Sequence, residues 1–192
     1  MAVSGESCGV RCDMTTALKQ QVALPDLGAV QLEFRAAMAR VGASVNVISS
    51  AGEAGRGGFT ATAMCSVTDS PPTLLVCMNR RSSQCDLFLR NGVFCVNVLS
   101  HDHVDLAEYF AGKVTDMNER YAFGMWECLP SGNHALADAI ASFDCKITAH
   151  HVVGTHYVLF GEVQSIRCST VGHPLLYLDR AFVGATAGIV SN

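Results

Sequence analysis

Two apolar, β-branched runs, Ser142 to Val152 and His156 to Cys168, are separated by only Val153-Gly154-Thr155. A link that short cannot carry a crossover, so the two strands are expected to pair antiparallel. The pattern recurs upstream. Phe59 to Thr68 and Thr73 to Asn79 flank Asp69-Ser70-Pro71-Pro72, where the prolines remove ladder donors and interrupt pairing. Ser44 to Ser50 (SVNVISS), Val93 to Ser100 (VFCVNVLS) and Leu175 to Val183 read as further strands, and Ala51 to Gly58, with four glycines, as a hairpin turn. About six or seven strands joined mostly by short turns disfavour a Rossmann-type parallel sheet. A closed antiparallel barrel, which leaves no strand edge exposed, fits better.

Helices are few. After Pro25-Asp26, the residues Leu27, Val30, Phe34, Ala37, Met38 and Val41 follow the spacing of one helical face, and Gly42 ends it. Ser83 to Arg90 is a short helix with Leu87 and Phe88 inward, terminated by Asn91-Gly92. Asp102 to Ala111 is another, with Leu106 and Phe110 one turn apart. Gly112 to Asp138 reads as short helices and loop around Trp126. Residues 1–24 carry no sustained period and are expected to form a flexible extension, leaving 25–192 as one domain.

Composition narrows the function. Of the 192 residues, 49% are hydrophobic and only 16% charged, which points to apolar surface buried between copies of the chain, a homodimer being the simplest case. A net charge of -4 argues against nucleic acid as partner. No apolar run approaches the ~20 residues of a membrane helix, and the N-terminus lacks a signal-peptide core, so the expected location is cytoplasmic. The nine cysteines are odd in number and form no Cys-x-x-Cys pair. Most sit in strand-like runs as small buried hydrophobes, and no metal site is expected.

One stretch, Gly58 to Ser83, concentrates the candidate chemistry. Thr60-Ala61-Thr62-Ala63 places small residues on one face of a strand, a platform where a planar ring can lie against backbone donors; a merely curved barrel wall would use the same residues. Asn79-Arg80-Arg81-Ser82-Ser83 offers cations, hydroxyls and a helix start to an anion; equally, its serine could simply cap the helix. Among the histidines, His150 and His151 point to opposite sides of a strand, and His101 and His103 are read as helix caps. His156, at a strand start after Gly154-Thr155, is placed for ligand contact at the barrel rim or for a local backbone bond. No hydrolase, metalloprotease, Walker or dinucleotide-fold motif is present.

At these segments the chain resembles the short-chain flavin reductases, most closely the reductase components of two-component aromatic monooxygenases such as 4-hydroxyphenylacetate 3-monooxygenase. The resemblance rests on Phe34-Arg35-x-Ala37-Met38, Ser44 to Ile48, Gly58 to Ala63 (GFTATA), Cys65 to Pro72 (CSVTDSPP) and Val96 to Leu99. Phe110 to Gly112, Gly154 to His156, Gly161 to Val163 and Pro174 to Tyr177 extend it, so that it covers roughly residues 30–183 in order. It implies an FMN-binding split barrel: mainly β, antiparallel and Greek-key, with a few flanking helices, usually as a homodimer. It also implies an NAD(P)H-dependent reductase that passes hydride from NADH (NADPH being the other option) to FAD or FMN. The reduced flavin would then go to a separate oxygenase acting on aromatic, phenolic compounds. The site residues implied are Thr60, Ala61, Thr62 and Ala63 along the ring and Asn79, Arg80, Ser82 and Ser83 toward the phosphate, with Ser66, Val67, Phe110, Tyr177 and Arg180 as further cofactor-binding residues. His156 is implied beside the nicotinamide, and no side chain is implied as an acid or base. Two departures stand out: Thr155 replaces the usual aspartate of a Gly-Asp-His motif, and the ending Leu176 to Phe182 is less basic than the family's. The competing expectations are a flavin-binding split-barrel protein without activity and an oxidase of the pyridoxamine-phosphate type.

Overall fold

A computed structural model describes residues 27–185. The expected extension at 1–24 lies outside them. The chain divides into two units between Met38 and Ala39. Of the first, helix α1 (Leu27–Ala39) is described, beginning and ending close to the expected bounds, and its Val30, Leu32, Phe34 and Met38 are exposed.

The second unit is a mostly antiparallel β structure. Its strands are β1 (Ala43–Ser44), β2 (Asn46–Gly52), β3 (Gly55–Ala61), β4 (Met64–Asp69), β5 (Pro72–Asn79), β6 (Val93–Val98), β7 (Trp126–Cys128), β8 (His134–Leu136), β9 (Ala141–Val153), β10 (His156–Cys168), β11 (Leu175–Leu178) and β12 (Ala181–Gly184). Seven of them form one sheet in the order β3-β2-β6-β9-β10-β5-β4, flanked by the small sheets β1-β11-β12 and β7-β8. The long hairpin β9–β10 is antiparallel as its short link requires, with His156 opposite Val153. Its register shifts twice, between Phe160 and Gly161 and between Val163 and Ser165, which bends the wall. At the outer edges of the sheet, β3 runs on into β4 through Thr62-Ala63, and Cys77 N donates to Ala63 O at 3.0 Å, closing the barrel.

Strand β2 shows why the sequence folds this way. Its side chains alternate, so Ile48 enters one core with Phe88, Phe94, Val76 and Leu159. Val47 enters a second core with Leu99, Leu106, Phe110 and Leu175. Each fully buried large side chain contributes about 1.5–3 kcal/mol. Close packing demands glycine at two points. A Cβ on Gly58 would stand 2.6 Å from Phe110 Cε1, and one on Gly161 2.8 Å from Cys145 Cβ. The buried Asn97 is paired beyond its own strand: its Oδ1 accepts from Leu136 N at 2.8 Å and Ser142 Oγ at 3.1 Å. Burial also lifts the Cys145 thiol, inert inside the barrel, to about 12.

Several expected elements are divided differently. The expected strand from Phe59 to Thr68 breaks at Thr62-Ala63, because β3 pairs with β2 while β4 pairs with β5. The expected strand Leu175 to Val183 is a hairpin, folded back at Asp179-Arg180. Much of the glycine-rich Ala51 to Gly58 lies within β2 and β3, the turn itself being confined to Gly52 through Gly55. Helix α2 (Cys85–Asn91) starts two residues after Ser83 and ends at Gly92, in the left-handed conformation expected of a C-terminal glycine. The expected helix from Asp102 is composite: a 3-10 turn His101–His103, helix α3 (Val104–Glu108) and a π turn Tyr109–Lys113. Loop segments aside, 112–138 contributes helix α4 (Met117–Ala122) and the hairpin β7–β8 around Trp126.

Candidate functional site

The stretch Gly58 to Ser83 reaches two clefts of the second unit. The first, of about 740 Å³, is walled by Thr60, Ala61 and Thr62 at the end of β3 and by Val45. Facing them are Tyr177 and Phe182 from the β11–β12 hairpin, with Arg180 at its turn. Glu108, Ala111 and Lys113 complete it from the π turn. Thr60 is fixed from outside, since its hydroxyl donates to Ala107 O at 2.7 Å and so ties β3 to α3. Behind Ala61 the buried Asn46 donates through Nδ2 to Ala61 O at 3.2 Å. The platform is thus held by hydrogen bonds on its far side, and small side chains face the opening.

The second cleft, of about 450 Å³, is lined by Arg80, Arg81, Ser82 and Ser83, with Gly154, Thr155 and Tyr157 opposite. Its turn is built from local bonds. Asn79 Oδ1 accepts from Arg81 N at 2.9 Å and Ser82 Oγ from Gln84 N at 3.2 Å. Ser82 therefore closes a turn, whereas helix α2 has Gln84 as its N-cap without a side-chain capping bond. The Arg80 backbone donates to Thr155 O at 2.9 Å, and its guanidinium to Gly154 O at 3.3 Å, which joins this segment to the tip of the β9–β10 hairpin.

Strand β5 leads from the Ala63 contact to the second cleft: from Cys77, bonded to Ala63, to Arg80 is three residues, about 10 Å at the rise of a strand. The residues present fit a flavin nucleotide: small side chains for a ring on the wall at Ala61, and cations and hydroxyls for a phosphate at Arg80 to Ser83.

Other expected residues fall elsewhere. His156 pairs with Asn79 across β5–β10, and its Nδ1 lies 3.0 Å from Thr155 Oγ1, so it borders the phosphate-end cleft. Phe110 is not in either cleft lining; it is 2% exposed and packs on Tyr121 and Trp126. Ser66 lines a separate groove with Thr68 and Leu74, and Val67 is exposed. His101 and His103 stand at a helix start: His103 Nδ1 accepts from Ser100 N at 3.1 Å, and its Nε2 meets Asp138 at 3.1 Å. Among the described residues no group of three or more potential metal ligands gathers. Nor is any described helix long and apolar enough to cross a membrane.

Sequence reasoning missed Glu108, Lys113 and Phe182 on the ring-side cleft. Only Gly112, at φ 118°, hinted at the irregular turn that brings Lys113 there. Lys113 pairs with Glu108, and the hydrogen bond it donates to that carboxylate raises the lysine's pKa above its ordinary value. Arg120 fixes the same turn, donating from Nε to Val114 O at 2.6 Å and from a terminal nitrogen to Phe110 O at 3.4 Å.

Comparison with known proteins points to one family. Residues 38–186 match the family model for the flavin reductase like domain. The chain is 49% identical over 150 residues to a protein named FMN reductase (NADH) RutF from Pantoea ananatis, covering 78% of each. The flavin reductase PheA2 in its native state superposes with a TM-score of 0.72 at 26% identity, over 81% of this chain and 97% of that one. The flavin reductase of styrene monooxygenase from Pseudomonas putida S12 shares the fold, with a TM-score of 0.72 at 22% identity over 82% and 99% of the two chains.

Proposed function

The chain belongs to the flavin reductase like domain family, and from that premise we propose that it is an NADH-dependent flavin reductase whose acceptor is FMN. The observation that carries the reading is the pair of clefts reached by Gly58 to Ser83, one walled by Thr60, Ala61 and Thr62, the other by Arg80 to Ser83. The name of the Pantoea ananatis relative favours FMN over FAD and NADH over NADPH. The reductase domain takes in the residues that match the family model, 38–186.

The chemistry supplied by the bound ligands is hydride transfer from nicotinamide to the flavin ring. What the chain supplies is orientation. Ala61 and Ala63 leave room for the ring; Arg80, Ser82, Ser83 and Asn79 hold the phosphate; His156, Tyr177 and Arg180 orient the nicotinamide dinucleotide. Backbone N–H groups along Thr60 to Ala63 would stabilise charge gained by the ring; Ser66, which lines a separate groove, and the exposed Val67 take no part in this reading. Phe110 acts from behind, as the packing partner of Gly58. No side chain is required as an acid or base.

The reduced flavin leaves for a separate oxygenase component acting on aromatic compounds, as the resemblance to monooxygenase reductases implies. The protein works as a homodimer in the cytoplasm. The dimer reading is supported by large apolar side chains left exposed, among them Val67 of β4, Val152 and Val153 of β9 and Ile166 of β10. The cytoplasmic reading is supported by seven free cysteines among the described residues.

The test is NADH oxidation by purified protein with FMN or FAD added. Flavin-dependent consumption, faster with FMN, is expected. Flavin binding without consumption would identify a carrier instead. Light scattering on the eluted protein tests the dimer, which a monomer mass would reject.

A further inference from the structure

The ring-side cleft carries two cations that the phosphate end does not need. Lys113 reaches it from a π turn containing Gly112 at φ 118°. Arg180 reaches it from a tight hairpin in which both Asp179 (φ 49°) and Arg180 (φ 64°) adopt left-handed backbone. Residues with a Cβ pay conformational free energy there, and a glycine would serve the turn better. Strain of this kind is retained where the side chain has a task. Two independent backbone irregularities thus deliver a positive charge to the same rim. The rim is separate from Arg80 to Ser83, which lie in the other cleft. In the described structure Lys113 is matched by Glu108, whereas no ion pair within 4.0 Å is found for Arg180 among the described residues.

We propose that Lys113 and Arg180 form a cationic rim for the diphosphate of the nicotinamide dinucleotide, with Glu108 as the counter-ion that Lys113 exchanges for it. The inference rests on the reductase reading, because that reading assigns the flavin phosphate to Arg80 to Ser83 and leaves this rim for the second reactant. Tyr177 and Phe182, with rings 5.5 Å apart, stand beside Arg180 as apolar cover for a bound base or ring. Glu108 also gives the rim a sign preference. A dinucleotide with an added ribose phosphate brings more negative charge toward that carboxylate, so NADH is favoured over NADPH.

The experiment uses the full chain and its Lys113→Gln, Arg180→Gln, Arg180→Gly and Glu108→Gln variants. KM for NADH is measured at saturating FMN, and KM for FMN at saturating NADH. Binding of ADP-ribose, which has the diphosphate but no nicotinamide, is followed by calorimetry without flavin. Losing either cation should raise the NADH KM and weaken ADP-ribose about 3- to 10-fold, the range for partly exposed charges. The FMN KM should hold. Arg180→Gly should melt higher than wild type and yet show the same loss, which separates binding from folding. Glu108→Gln should tighten ADP-ribose and narrow the preference for NADH over NADPH. Unchanged NADH KM and ADP-ribose binding in both cation variants would overturn the rim, as would a rise in the FMN KM in their place. Unaltered ADP-ribose affinity in Glu108→Gln would overturn the counter-ion. Wild-type protein that fails to oxidise NADH with FMN would instead sink the underlying reductase reading, and the ADP-ribose arm would still decide the rim.

Discussion

The two clefts are built in opposite ways. The phosphate-end cleft comes largely from one run of sequence, Asn79 to Ser83, closed by bonds two residues apart and tied to one hairpin tip. The ring-side cleft draws on four distant segments around residues 45, 60, 110 and 180, and its cations ride on irregular backbone. A local device tolerates change in its neighbours. An assembled one depends on the packing behind it, here the Thr60 bond to Ala107 and the fit of Gly58 against Phe110.

That contrast can be broken by substitution. The largest effect is expected from replacing both Arg80 and Arg81 with alanine. KM for FMN should rise about 10- to 100-fold, as for loss of charge-assisted bonds. KM for riboflavin, which has no phosphate, should stay put. An equal rise for both would mean that this cleft does not hold the phosphate. Thr60→Val comes next. It removes the bond to Ala107 O while keeping the side chain's shape, and should cost about 1 kcal/mol in denaturant unfolding. The ring-side kinetics should suffer with it, while the riboflavin-to-FMN preference set by the other cleft persists. A variant as stable as wild type would show that the platform needs no support from α3.

His156→Ala sharpens the border between the clefts. The NADH KM should rise about 3- to 5-fold, the size of one modest contact, with a smaller change for FMN. Unchanged NADH kinetics would remove His156 from the nicotinamide side and leave it a partner of Asn79 alone.

The smallest effect concerns the support behind the ring-side core. His134 packs edge-on to Tyr121, and burial, aided by Arg56, lowers its pKa below 6.5. The folded protein therefore resists protonation that the unfolded chain accepts. Stability is full above pH 6.5 and declines as pH falls from there toward the lowered folded value. Thermal melts of His134→Gln should show a shallower decline over that window than wild type. Identical slopes would assign the acid sensitivity to other groups.

The same contrast decides what the sequence disclosed. Strand pairing was legible because Val153-Gly154-Thr155 is too short for any other connection, and Pro71-Pro72 marks a break that any ladder must respect. The cationic phosphate-end segment was legible for the same local reason. The ring-side cleft was only half visible. Thr60 to Thr62 could be read from their small side chains, but nothing local marks Glu108, Lys113 or Phe182 as their neighbours. The chain reversal at Asp179-Arg180 was hidden because the aspartate is followed by arginine rather than by the glycine that such a turn normally advertises. Phe110 was misleading for a different reason. An aromatic beside a ligand and an aromatic filling the space over a glycine look alike until Gly58 and Phe110 are seen in contact.

The central claim is that the chain brings a nicotinamide and a flavin together across these clefts. The most direct measurement mixes NADH, FMN and the purified protein without oxygen and follows both chromophores. The account predicts protein-dependent, equimolar loss of NADH and oxidised flavin, slowed at limiting FMN when Arg80 and Arg81 are replaced. Reduction no faster than in the absence of protein would contradict it.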